Sequence, residues 1–197
     1  MNSYVAFLRG INVGGKNLIK MEGLRKVLES LGLRNVRSYI ACGNVIFESI
    51  DHNSDSLGRK IEKKVEKELE QKLVVLLFKI AEIEEMLKRN PFKRIKANED
   101  VMLCVALLAE EPSTKLSLPF VSAVEKLEVV EVRGRAAFVV AHRKKTGWFG
   151  FPNNFVEKQL GIRATTRQFT TLQRIINFAR KAPTRSLLAE EKQNRRP

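Results

Sequence analysis

The chain has 197 residues, 44% of them hydrophobic and 29% charged, with 36 Lys and Arg against 22 Asp and Glu for a formal charge of +14. That length holds one substantial domain or two small ones sharing a core, and no apolar run approaches the roughly 20 residues of a membrane helix. Two cysteines, Cys42 and Cys104, are too few for a disulfide framework, and no Cys/His cluster has metal-ligand spacing, so the expectation is a cytoplasmic, reduced protein without metal, cofactor or membrane attachment.

In chain order, YVAFLR (4–9) reads as a short buried strand. A glycine-rich stretch follows, and then Met21, Leu24, Leu28 and Leu31 recur at helical spacing, with Gly32 where a C-terminal cap belongs. VRSYIA and VIFES are β-rich and separated by Cys42-Gly43-Asn44, a hairpin signal because Gly and Asn tolerate positive φ. Leu57, Ile61, Val65 and Leu69 mark a second helix, LVVLLFKI (73–80) a strand, and AEIEEMLKRN a helix stopped by Pro91. The order β-α-β-β-α-β is that of ferredoxin-like domains.

The second half begins the same order again. VMLCVALLA (101–109) is a buried strand and Ser117-Leu118-Pro119 opens a short helix. LEVVEV and AAFVVAH flank Arg133-Gly134-Arg135 as a second hairpin, and NNFVEKQLG is an amphipathic helix. A last helix spans 166–181, with Thr165 or Thr166 as its N-cap. The expected fold is therefore α+β: two ferredoxin-like halves, βαββαβ and an incomplete βαββα, with antiparallel sheets and a C-terminal helix. The halves divide as 1–96 and 97–182, with the seam at KANED and a disordered tail over 183–197.

RGINVGGKN (9–17) fits the phosphate-loop pattern at Gly10, Gly15 and Lys16 and fails at Asn17, which lacks the hydroxyl that holds magnesium. Its context also argues against that mechanism. Helical periodicity starts only near Met21, and the following hairpin requires antiparallel pairing, whereas phosphate-loop folds are parallel sheets. Two readings stay open: glycines that merely let a loop turn sharply, or a turn presenting Arg9, Asn12, Lys16 and Asn17 to an anion.

Other constellations are weaker. Arg167 in a first helical turn would oppose the helix dipole, so it calls for a partner, with Glu157 the obvious one and an external anion the alternative. His52 and His142 sit in no recognisable nucleophilic arrangement, and Cys104 belongs to the core. HRKKTGWFGF (142–151) mixes cations and aromatics as single-strand binders do; Phe151 is assigned to the core and Trp148 is left open.

The stretch from YVAFLRGINVGGKN to ACGNVIFES, with NPF (90–92), NNFVEKQLG (153–161) and ATTRQFTTLQRI (164–175), resembles the family catalogued as domain of unknown function 1697. The resemblance implies an α+β protein of two similar halves, bacterial in most members, and brings no established activity. The matching motif residues are Arg9, Gly10, Asn12, Gly14, Gly15, Asn17, Tyr39, Gly43, Asn44, Glu157, Thr165, Thr166, Arg167 and Thr171. Cys42 stands where a serine is usual, trading a firm hydrogen-bonding hydroxyl for a weak thiol. The Ser-Lys pair that members often carry before the penultimate helix is missing near Phe149 and Gly150.

The expected function is binding of phosphate-bearing ligands, nucleic acid among them, as the charge excess suggests. The expected ligand-binding residues are Arg9, Asn12, Gly14, Gly15, Lys16, Asn17, Asn44, Thr166 and Arg167. The alternative is a small-molecule enzyme acting on an anionic or phosphorylated substrate in the cleft between the halves, with catalytic residues and oligomeric state open.

Overall fold

A computed structural model describes residues 1–9, 11, 19–40 and 43–181 of the chain. Most of the glycine-rich stretch and the expected tail lie outside the described residues. Among the described residues the protein forms two antiparallel sheets and five helices.

The first sheet takes β1 (Asn2–Arg9), β2 (Arg34–Ser38), β3 (Asn44–Ser49) and β4 (Val74–Lys79) in the order β2-β3-β1-β4, the arrangement expected of a ferredoxin-like unit. β1 is central and buried on both faces, which is why it reads as a continuous apolar run rather than an alternating one. Period-two geometry divides its side chains. Tyr4, Ala6 and Leu8 enter an outer cluster with α1 (Met21–Ser30) and α2 (Ser54–Leu69), whereas Val5 and Phe7 point the other way. α1 ends at Gly32, whose φ of 80° supplies the left-handed turn that its position suggested. α2 is capped by Asn53, whose side chain accepts from Ser56 N at 2.8 Å.

After α3 (Ile80–Arg89) the second sheet takes β5 (Val101–Leu108), β6 (Phe120–Ser122), β7 (Leu127–Arg133), β8 (Ala136–His142) and β9 (Ala164–Gln168) in the order β6-β7-β8-β5-β9. Two expectations are corrected here. The helix expected from Ser117 does not form: Leu116, Leu118 and Phe120 alternate with a period of two, and the chain enters strand β6. The second unit also has its last strand. Ala164–Gln168 pairs antiparallel with β5, so Thr165 and Thr166 are strand residues, and α5 (Phe169–Arg180) begins after them. β-Branched Thr165 and Thr166 suit a strand better than the caps they resemble.

Helix α4 (Pro152–Leu160) covers the outer face of the second sheet, where Cys104, Ala106 and Leu108 meet Phe155, Val156 and Leu160. The inner faces of the two sheets share one further cluster. Val5, Phe7, Leu76 and Phe78 come from the first half, and Val105, Leu107, Phe138 and Val140 from the second. Ile83 of α3 and Leu172, Ile175 and Ile176 of α5 join them.

Two arginines tie the halves further. Arg37 of β2 donates to Ala179 O at 3.0 Å and Lys181 O at 2.8 Å, occupying carbonyls that the end of α5 leaves open. Arg135, in the β7–β8 turn, donates to Leu77 O at 3.1 Å and Leu108 O at 3.2 Å, with its guanidinium 4.2 Å from the Phe78 ring centre. Burial pushes the Arg135 pKa down, and the carboxylates of Glu82, Asp55 and Glu111 oppose the shift. The 142–151 region departs from expectation in one place: Phe151 is 74% exposed, as is Trp148 at 77%, and only Phe149 turns inward, 5.4 Å beneath Arg143.

Candidate functional site

The end of β1 lies against the β2–β3 turn. Gly43 adopts φ of 71°, and a Cβ there would stand 3.0 Å from Leu8 O, so glycine is required both by backbone angle and by close approach. The reward is a hydrogen bond from Leu8 N to Gly43 O at 2.8 Å. Asn44 follows immediately and is completely buried. Its amide nitrogen donates to Tyr39 O at 3.2 Å, which leaves its Oδ1 aimed at the second half.

Arg167 of β9 meets it. Arg167 Nε donates to Asn44 Oδ1 at 2.7 Å, one terminal nitrogen donates to Thr165 Oγ1 and Thr166 O, both at 2.9 Å, and the other reaches Leu8 O at 3.5 Å. The guanidinium also lies 5.4 Å from the Phe7 ring centre. A single cation thus joins β1, β3 and β9.

Glu157 takes a different partner from the one expected. It holds Arg9, not Arg167, through two parallel N–H···O bonds, the second at 3.0 Å, and also accepts from Ala164 N at 2.7 Å. Strand alternation explains the exchange. Ala164 packs on the outer face of β9 beneath α4, so Thr165 and Arg167 fall on the inner face, away from Glu157. Arg9, leaving the end of β1, comes within reach of α4.

The same seam holds two buried polar atoms without a hydrogen-bond partner, Thr166 Oγ1 and Asn153 Oδ1. Asn153 lies one turn before Glu157 on the same face of α4, about 6 Å along the helix. Thr166 lies two residues beyond Ala164 on the same face of β9, about 6.6 Å along the strand. Sequence reasoning missed Asn153; its i, i+4 relation to Glu157 was the available signal.

Of the expected ligand-binding residues, the structure joins Asn44 to Arg167 on the inner side of β9, and turns Arg9 and Thr166 toward the α4 side. Asn12, Gly14, Gly15, Lys16 and Asn17 lie outside the described residues. Ile11 and Ile19 are both buried in the first outer cluster.

A second concavity, of about 360 Å³, opens between α3 and the β7–β8 turn. Glu82, Glu85 and Glu111 face Arg89, Arg133 and Arg135 there, with Arg89 already paired to Glu131. Among the described residues no group of His, Cys, Asp or Glu side chains could hold a metal ion, and no helix is long and apolar enough to cross a membrane. Burial pushes the Cys104 thiol up to about 12, which keeps it protonated and poorly nucleophilic.

No curated protein matches the chain. Among solved structures it is similar to the conserved bacterial protein SP0830 from Streptococcus pneumoniae, at 26% identity and a TM-score of 0.60, covering 91% of this chain and 99% of the other. The similarity therefore extends through both halves and the seam between them. Residues 1–138 match the family described as protein of unknown function (DUF1697), and the chain belongs to that family.

Proposed function

We propose that the protein binds a phosphate-bearing ligand at the seam between its halves. Arg9, Asn12, Gly14, Gly15, Lys16 and Asn17 offer cations, amides and glycine backbone N–H groups, to which Asn44, Thr166 and Arg167 would add theirs. The observation that carries the reading is the pair of buried, unpartnered polar atoms, Thr166 Oγ1 on β9 and Asn153 Oδ1 on α4, the two elements that Glu157 links while it holds Arg9. A buried polar atom left unsatisfied costs about 1–3 kcal/mol, so its retention in a seam rich in cations fits a group that a ligand completes. The formal charge of +14 adds long-range attraction for any anion, nucleic acid included.

The test is a thermal-shift screen with nucleotides, sugar phosphates and short oligonucleotides. A ligand at about 100 times its Kd should stabilise the protein by about 2.7 kcal/mol. The shift should be lost in Thr166→Val and in Lys16→Ala. A panel without any shift, or a shift that survives both substitutions, would sink the reading.

A second reading is favoured by the charge-balanced concavity of about 360 Å³ that residues of both halves line. There Arg133 could orient an anionic substrate while Glu111 handles a proton. Substrate consumption by the wild type that disappears in Glu111→Gln, with Thr166→Val fully active, would favour this enzyme over the seam binder.

A further inference from the structure

Helix α5 carries an unusual outer face. Residues 164–181 contain no Asp or Glu, and the exposed positions of α5 are Thr170, Gln173, Arg174, Asn177 and Arg180. Their spacing of three and four residues forms one stripe opposite the buried Leu172, Ile175 and Ile176. Helix α3 packs beside it in the opposite direction, since Glu84 pairs with Arg180 at one end and the Phe92 ring lies 5.4 Å from Phe169 at the other.

Between them runs an open groove of about 630 Å³. Lys88, Arg174 and Arg180 line it against one carboxylate, Glu84, which Arg180 already engages. Its remaining polar lining is the neutral hydrogen-bonding set Thr170, Gln173 and Asn177. The antiparallel course also carries exposed Lys93 and Arg94, which flank buried Phe92, toward the first turn of α5. Among the described residues, Lys88, Lys93, Arg94 and Arg174 make no ion pair. Within the groove, Glu84 is the single carboxylate set against Lys88, Arg174 and Arg180.

We propose that the α3–α5 groove is a track for the phosphodiester backbone of a single-stranded nucleic acid, independent of the phosphate site at the seam. Cations along both rims match a chain of evenly repeated negative charges better than one small anion. Amide and hydroxyl side chains beside the α5 arginines can donate to phosphate oxygens without reading base identity. Binding is therefore expected to be largely sequence-tolerant and strongly dependent on salt.

The experiment uses the full chain and a fluorescently labelled, mixed-sequence RNA of about 20 nucleotides, followed by anisotropy across a salt series. The double variant Lys88→Ala/Arg174→Ala should bind at least about fivefold more weakly at low salt, with the slope of log K against log salt reduced by about 0.7 per cation removed. Lys63→Ala/Lys67→Ala, on α2, removes the same charge elsewhere and should retain affinity. All these positions are exposed, and matched melting curves verify folding. No binding by the wild type, or equal loss in both double variants, would overturn the proposal. Binding abolished by Lys16→Ala but intact in Lys88→Ala/Arg174→Ala would also overturn it, while leaving the seam reading standing.

Discussion

The two halves use one strand order and cover it differently. β2-β3-β1-β4 in the first corresponds to β7-β8-β5-β9 in the second, but the first has two helices on its outer face and the second has one. Where α1 would recur, residues 109–126 instead supply the edge strand β6. α1 brings Leu24, Val27 and Leu28 to its sheet, an apolar stripe at helical spacing. The corresponding stretch, EEPSTKLSLPFVSAVEK, has two prolines and a two-residue alternation, which favours extended chain. The repeat is therefore one of strand connectivity. It tolerates the loss of a helix because the inner cluster, contributed by both sheets, is intact.

That difference can be broken experimentally. The largest effect should come from expressing residues 1–96 alone. Val5, Phe7, Leu76 and Phe78 would lose their cover, so no cooperative melting transition is expected by circular dichroism. A sharp transition would show that the first half is self-sufficient. Next, Phe47→Ala in the fully buried outer cluster of the first half should cost about 3–5 kcal/mol in urea unfolding. Phe155→Ala, in the thinner outer layer of the second half, should cost at least about 1 kcal/mol less because its site is 8% exposed and flanked by more adaptable chain. Equal values would mean that the single helix packs as well as the pair.

Asn44→Ala tests the joint between the halves. It removes the acceptor of Arg167 Nε and should cost about 1.5–3 kcal/mol, as expected for a hydrogen bond to a charged group. Asn44→Asp, which keeps an acceptor, should recover part of that loss. The last effect is confined to alkaline pH, vanishes below pH 9 and concerns the outer face of the second sheet. The Cys104 thiol is held protonated up to about 12 against an ordinary 9.0, so above pH 9 the unfolded chain releases a proton that the native protein keeps. Stability should then fall by up to about 1.4 kcal/mol per pH unit between those values. In a Cys104→Ala variant this portion of the alkaline slope should vanish.

Much of this architecture is legible from periodicity. The continuous apolar β1, the α1 stripe ending at Gly32 and the hairpin around Gly43 all follow from local residue patterns. The misreadings occurred where two signals compete. Thr165 and Thr166 are good caps and good strand residues, and only pairing with β5 decides between them. The Arg9–Glu157 pair joins residues 148 positions apart in sequence, and β9 alternation, which excludes Arg167, emerges only once that strand is recognised. Asn153 and Thr166 were individually unremarkable polar residues. Their joint lack of partners is a property of the packed seam that no sequence window contains.

The hold of Arg37 on the carbonyls of Ala179 and Lys181 has a consequence for synthesis on the ribosome. The apolar residues that close the shared cluster, Leu172, Ile175 and Ile176, are synthesised after every strand of both sheets, and the first sheet's inner face must wait for them. Until β5, β8 and α5 are made, Phe7 and Phe78 lack the residues that cover them. The nascent chain is thus exposed to misassociation until α5 arrives, and Arg37 acts as the latch that fastens this later helix to the half made before it.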